Sequence, residues 1–306
     1  MSRLTRLPPE LRDDMKRAVR LEYWNIGFTA SIVLVMRLVL GNSQTMKTAW
    51  IEDTLGFIPP IVFLVSVRFE TKRATRNYPF GFHRVHSLAF LIAAVALALV
   101  GVLLLWDAAS TLMAREHATV ATVRLFGHAF WLGWLMIAAQ IYSIVPPLII
   151  GRLELPLARR LQDEVLFTDA KMNKANWQTG VAGLAGVIGL GFGFWWADSV
   201  AAALISVSII SDGWKALRVA TAELVDGVPR ELGSTNPDPE AKRLVSKLKK
   251  EYPGAEIRLR ETGRYIHAEV CGVEPVKKQA LDEIWPGEPE RAWRLAQLSF
   301  VPPEPQ

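Results

Sequence analysis

The sequence predicts an all-α bundle of six transmembrane helices followed by a small cytoplasmic α+β domain, ferredoxin-like in its α-β-β-α-β order. Three observations predict it. Apolar stretches of about 20 residues recur along the chain, the length a helix needs at ~1.5 Å per residue to cross ~30 Å of hydrocarbon. Arg and Lys gather at alternate ends of these stretches. Beyond residue 226 the long apolar runs stop, and shorter helix and strand patterns follow. Composition agrees: 51% of the 306 residues are hydrophobic and the mean hydropathy is +0.20, high for a chain that lives in water. The net charge of +5 sits mostly in the flanking clusters, which argues for membrane orientation and against a nucleic-acid partner. Cys271 is the only cysteine, so no intramolecular disulfide can form.

The opening, "MSRLTRLPPELRDDMKRAVR", reads as a cytoplasmic segment over residues 1–20 and not as a cleavable signal peptide. The transport domain then spans 21–226. Its six spans fall at about 21–40, 46–67, 86–106, 126–150, 164–192 and 196–212. Pro59/Pro60 and Pro146/Pro147 interrupt the second and fourth, and read as kinks, because proline is tolerated in membrane helices whose neighbours satisfy the freed carbonyls. Arg3, Arg6, Arg12, Lys16, Arg17 and Arg20 precede the first span, and further basic clusters follow the second and the fourth. The opposite loops carry only Lys47, Arg115 and Arg124, so both termini are expected in the cytoplasm and the chain is expected to be a multi-pass protein of the cell membrane. Trp195 and Trp196 suit the outer headgroup zone.

Pro and Gly mark a linker over 227–239, and residues 240–306 form the tail domain. "DPEAKRLVSKLKKEYPG" has an acidic start, helical spacing of its apolar residues and a Pro-Gly stop, so it predicts a helix. "AEIRLRETGRYIHAEVCGVE" alternates around "ETGR" and predicts a hairpin. "VKKQALDEIW" predicts a second helix and "AWRLAQLSFV" a last strand.

Several polar residues lie where hydrocarbon is expected. Asp169, Asn173 and Asn176 are spaced i, i+4, i+7 and share one face of the fifth span. Glu52 and Asp53 are adjacent carboxylates in the second. Ionised groups at that depth cost about 2.5–3.5 kcal/mol each on insertion scales, so they face a cavity or one another. Oxygen donors on two helices are what a divalent cation requires in place of its hydration shell. The two spans run antiparallel, which sets Glu52 and Asp53 level with Asn176, with Asn173 beside them. Asp169, seven residues back and ~10 Å nearer the cytoplasm, stands at the mouth. The bland alternative is that these side chains only bond helix to helix. Lys171 and Lys174 mark the cytoplasmic entrance. In the tail, His267 is a regulatory-ligand candidate, while Cys271 reads as strand packing. No nucleophile–base pairing or metalloprotease spacing points to an enzyme.

"NYPFGFHR", "TDAKMNKANW", "WWADSVAAALIS" running into "SDGW", and "ELVDGVP" together resemble the cation diffusion facilitator family over about residues 20–230. The resemblance implies a homodimer in the lipid bilayer that exchanges a divalent cation (zinc, manganese, iron, cobalt or similar) for protons. Transport would be by alternating access around a site on the second and fifth spans. It implies no tightly bound cofactor, the metal being the substrate. The family places two Asp/His ligands at i, i+4 on each of those spans. Here the matching positions are Glu52, Gly56, Met172 and Asn176, with Asp53 and Asn173 one residue along. That set is richer in oxygen and suits manganese, iron or magnesium better than zinc. The resemblance also implies an interlock between Arg84 and Asp226 that clamps the dimer beneath the membrane. The lost ligands at Gly56 and Met172 leave a non-transporting scaffold or regulator as the alternative, and Lys171 leaves a carrier of anions as another.

Overall fold

The computed structural model describes residues 7–70, 72, 75–79, 81–82, 84–115, 122–125, 128–234, 236–273 and 280–302. The chain begins with helix α1, Pro9–Val39, followed by α2, Gln44–Leu55, and α3, Ile58–Glu70. Then come α4, Arg84–Met113, the short strands β1, Thr122–Leu125, and β2, His128–Trp131, and three long helices. These are α5, Leu132–Leu161, α6, Glu164–Gly191, and α7, Ala197–Leu224. The tail holds α8, Pro239–Glu251, β3, Glu256–Thr262, β4, Tyr265–Cys271, the single turn α9, Leu281–Ile284, and β5, Leu295–Val301.

Among the described residues, four helical stretches are long and apolar enough to cross a membrane: Gln44–Glu70, Ser87–Met113, Leu132–Leu161 and Ala197–Leu224. Their outer faces are apolar too. Leu88, Ile92, Leu99, Leu103 and Trp106 of α4 are all more than half exposed, a row that lipid tails would cover. α4 packs along α7, and α5 along α6, with α1 against α5. Small residues set these distances. A Cβ on Gly213 of α7 would lie 2.8 Å from the Ala98 backbone nitrogen of α4, and one on Gly151 of α5 would lie 2.6 Å from the Ala170 carbonyl of α6.

Three boundaries differ from those expected. α1 starts at Pro9, inside the segment read as a polar opening. Leu11, Met15 and Ala18 are buried there, so residues 9–20 are an amphipathic first stretch of the same helix. The second span is interrupted at Gly56 and Phe57, which divide it into α2 and α3. Pro59 and Pro60 have no N–H to give, so they fit the first turn of a new helix, where those donors would be orphaned anyway. The fourth span begins later than expected, at Leu132, because His128–Trp131 pairs with Thr122–Leu125 as an antiparallel ribbon; it carries Pro146, Pro147 and Pro156 within the helix. Asp107, which closes the third span, pairs with Lys47 at 2.6 Å.

In the tail, β3 and β4 are antiparallel around Gly263 and Arg264, and β5 joins β4 in parallel, giving the order β3-β4-β5. Leu244 and Leu248 of α8 close the core over Ile266, Val270, Trp285 and Leu295. Of the expected second helix only Leu281–Ile284 is helical, residues 274–279 lying outside the described ones. The expected last strand loses its first residues to a 3₁₀ turn, Pro289–Arg294. That turn buries Arg294, 1% exposed, against Asp238 at 2.7 Å, Glu240 at 3.1 Å and Glu261 at 3.3 Å. Arg294→Ala takes the buried cation from three carboxylates and is expected to cost the tail about 3–5 kcal/mol. Arg258→Ala removes only an exposed pair with Glu256 and is expected to leave the stability of the tail nearly unchanged. Hydrogen exchange of the β4 amides in the full chain measures both, and equal protection in the two variants would refute the ranking.

Candidate metal site

A cavity of about 70 Å³ opens between α2, α6 and α7. By volume it holds a few water-sized groups. Glu52 and Asp53 reach it from α2, and Asp169, Asn173 and Asn176 from α6, so the five residues singled out in the sequence line one space. Gly56 and Met172 line it as well, but neither brings a hard donor. Ser208 and Asp212 of α7 and Thr179 of α6 complete the polar wall.

Each side chain is held by local chemistry. Asn176 Nδ2 donates to the Ser143 carbonyl at 3.4 Å, and Thr179 Oγ1 donates to Asn176 Oδ1 at 3.1 Å. Asn173 Nδ2 donates to Asp169 Oδ2 at 3.2 Å, one helical turn apart. Asp53 Oδ2 is buried and has no hydrogen-bond partner among the described residues. A buried carboxylate oxygen without a donor is the costly case unless a cation or proton meets it.

The register of α2 is fixed at its start. Ser43 caps the helix by accepting from the Met46 N–H at 3.1 Å. Asp198, 1% exposed at the start of α7, then accepts from Ser43 Oγ at 2.6 Å, the Gln44 N–H at 2.6 Å and the Thr45 N–H at 3.1 Å. Thr45 Oγ1 in turn donates to the Asp198 carbonyl at 2.7 Å. A carboxylate at this helix N-terminus satisfies orphan donors and meets the positive end of the dipole. It also ties α2 to α7, which places Glu52 and Asp53 two turns further along.

Asp169 does more than stand at a mouth. It is 2% exposed and accepts from Asn25 Nδ2 of α1 at 3.0 Å. Glu22 of α1 and Glu154 of α5 lie beside it, with one ligand oxygen from each of the three within 4.8 Å of the others. The sequence reading missed Glu22, Asn25 and Glu154. Their signal was periodic: Ala18, Glu22, Asn25, Thr29, Ile32 and Met36 make one buried stripe of α1, with polar residues in its middle.

The lysines lie elsewhere. Lys171 and Lys174 are exposed on the side of α6 away from the cavity, and Lys171 Nζ sits 4.6 Å from the centre of the Phe167 ring. That position takes away the basis for an anion carrier. Arg84 and Asp226 form an ion pair within the chain, and Arg260 approaches the same carboxylate at 3.7 Å. The Arg84 hydrogen bond holds the Asp226 carboxyl below the usual carboxylate range. His267 faces the same hollow, its Nδ1 3.3 Å from Gln297 Oε1, with Arg260 beside it. Cys271 closes β4 as a half-buried thiol.

Residues 25–225 match the cation efflux transmembrane domain family. Among curated relatives, a manganese efflux system protein of Bacillus subtilis (strain 168) is 23% identical over 250 residues, 80% of each chain. A probable cation efflux system protein of Mycobacterium tuberculosis is 21% identical over 257 residues, 83% of this chain and 71% of the relative. A zinc transporter of Yersinia pseudotuberculosis is 22% identical over 213 residues, 68% of this chain and 64% of the relative.

Asp198→Ala strips the α2 N-terminus of its acceptor and is expected to destabilise the full chain by about 1–3 kcal/mol, with Asp198→Asn recovering part. Thermal unfolding in detergent reads this, and an unchanged midpoint for Asp198→Ala would refute the role.

Proposed function

The chain belongs to the cation efflux, or cation diffusion facilitator, family, and from that premise we propose that it exports a divalent metal cation in exchange for protons, by alternating access around the cavity between α2 and α6. It is a membrane transporter and not an enzyme. One observation carries the site: Glu52, Asp53, Asn173, Asn176 and Asp169 share one cavity, and within it Asp53 Oδ2 is buried without a partner. Carboxylate and amide oxygens are hard donors, so the set favours manganese, iron or magnesium over zinc. The manganese exporter among the relatives agrees with that preference.

The helix count under this reading is six. α1 and α6 join the four apolar spans, and what lowers their hydropathy is the polar stripe each turns inward, together with the basic head of α1 and the exposed lysines of α6. Both termini then lie in the cytoplasm with the tail, and the protein works as a homodimer in the cell membrane. The Arg84–Asp226 pair braces α4 against the end of α7 beneath the membrane and so stiffens each subunit where the dimer meets. Protons serve as counter-ions because the same carboxylates bind either a cation or a proton, and release of one admits the other.

A second reading, a dimeric scaffold that moves nothing, draws on Gly56 and Met172, which stand in the cavity where the family pattern has ligands. Proteoliposomes with an imposed pH gradient separate the two. The wild-type chain is expected to carry Mn²⁺ across, Glu52→Ala or Asp53→Ala to fall to the level of empty vesicles, and Lys174→Ala to keep most of the flux. Absence of flux for every divalent ion in a panel would favour the scaffold, and unimpaired flux in both carboxylate variants would remove the site from α2.

A further inference from the structure

Glu22, Glu154 and Asp169 come from three helices and are 0%, 0% and 2% exposed. None of the three joins an ion pair with a basic side chain among the described residues. The basic residues nearest in sequence, Arg20, Arg152 and Lys171, are exposed, while Arg160 pairs with Asp14 and Arg264 with Asp163, each at 2.9 Å. The donors in reach are two amides. Asn25 Nδ2 donates to Asp169 Oδ2 at 3.0 Å and reaches Glu22 Oε2 at 3.5 Å, while Asn173 Nδ2 adds a second bond to Asp169 Oδ2. Both donors bond Asp169, with Asn25 also in reach of Glu22 and Asn173 beside Glu154. Glu154 Oε1, Glu154 Oε2 and Glu22 Oε1 are buried and none receives a hydrogen bond of ordinary length and angle among the described residues, Asn173 being the nearest amide to Glu154.

We propose that these three carboxylates form a second divalent-cation site, a station between the tail side of the bundle and the cavity of Glu52 and Asp53. A buried carboxylate without a cation or a well-placed donor costs several kcal/mol, and Glu154 presents two oxygens in that state to the same small volume. Three carboxylates closing to within 4.8 Å supply hard oxygens for one ion, and a dication offsets two of their charges. Glu22 and Glu154 do not line the cavity, whereas Asp169 belongs to both groupings. Asp169 is seven residues from Asn176, roughly 10 Å along α6 at the helical rise. An ion leaving this station thus meets Asp169 first and Asn176 two turns later. The inference deepens the transport reading and rests on it for its purpose, although the binding itself can be tested apart from transport.

The test counts Mn²⁺ bound to the purified full-length chain in detergent, stripped of metal and then dialysed to saturation. The wild-type chain is expected to hold two ions. Glu22→Gln with Glu154→Gln is expected to hold one, and Glu52→Gln with Asp53→Asn is expected to hold the other one. Glu154→Asp, which keeps the charge but withdraws it by one methylene, is expected to keep both ions with about tenfold weaker binding at one of them, and covers the case in which the paired glutamine variant does not fold. Wild-type stoichiometry and affinity in the glutamine variant, or in Glu154→Asp should that be the one that folds, would overturn the second site. One ion in the wild type, lost with Glu22 and Glu154 but kept without Glu52 and Asp53, would uphold it and overturn the cavity reading instead. No Mn²⁺ on the wild type would overturn both.

Discussion

An ionised carboxylate deep in a bilayer costs about 2.5–3.5 kcal/mol on the more lenient insertion scales, and every acidic residue in this bundle must be offset by something. The protein does this in two ways. Asp198 is met by the open N–H groups of α2, Asp163 by Arg264, and Asp14 by Arg160. These groups hold helices to one another and to the tail, Asp198 and Asp163 through hydrogen bonds and Asp14 through its ion pair with Arg160. Glu22, Asp53 and Glu154 each keep at least one buried oxygen with no partner, and all three lie around the inner face of α6. The same side-chain chemistry is structural where a donor is fixed, and under the proposed function it takes up cargo where no donor is supplied.

α6 is therefore the organising element. It touches α2, α3, α5 and α7, and its capping residue Asp163 accepts from the Leu166 N–H at 3.0 Å while also holding Arg264. Its polar face turns to the cavity and its lysines turn out. The break between α2 and α3 matters for the same reason. Gly56 N–H bonds to the carbonyls of Glu52 and Asp53 and Phe57 N–H to that of Thr54, so the two carboxylates sit in the last turn of a short helix. The helix is anchored at its start by Asp198 and packed at its end, where Ile51 and Leu55 meet Leu104, Ile205 and Ile209.

Much of this could be read from the sequence, and what could not has a physical reason. The face of α6 was legible because Asp169, Asn173 and Asn176 recur at helical spacing within one apolar run, and Glu52 and Asp53 because two acids stand in another. Glu22 and Glu154 were not. Each sits where an apolar run meets a charged segment, "RLEYWN" and "GRLELPLARR", and there a carboxylate normally faces water. Only the packing of α1 and α5 against each other brings them to Asp169. The α2–α3 break was hidden for a related reason: Pro59 and Pro60 announce a disturbance, but whether a helix bends or restarts depends on neighbours that hydropathy does not contain. In the tail, the hairpin register was set by alternation, whereas the 3₁₀ turn around Arg294 followed from a buried ion cluster drawn from distant positions.

The tail is fastened to the helices that carry the candidate site. Arg264, 2% exposed at the β3–β4 turn, bonds Asp163 at the head of α6 and lies 3.4 Å from Glu70 at the foot of α3. Glu164 accepts from the Gly233 N–H at 3.1 Å, and Glu223 of α7 from the Gly263 N–H at 2.7 Å. One guanidinium thus bridges α3 and α6. Parting α3 from α6 must either carry Arg264 away from one carboxylate or pull the β3–β4 turn along with it. The first leaves a buried charge half-paired, at a cost of a few kcal/mol. The second moves the whole three-stranded sheet, because that turn is continuous with both of its antiparallel strands. Under the proposed alternating access, an opening that parts α3 from α6 must therefore be felt in the tail.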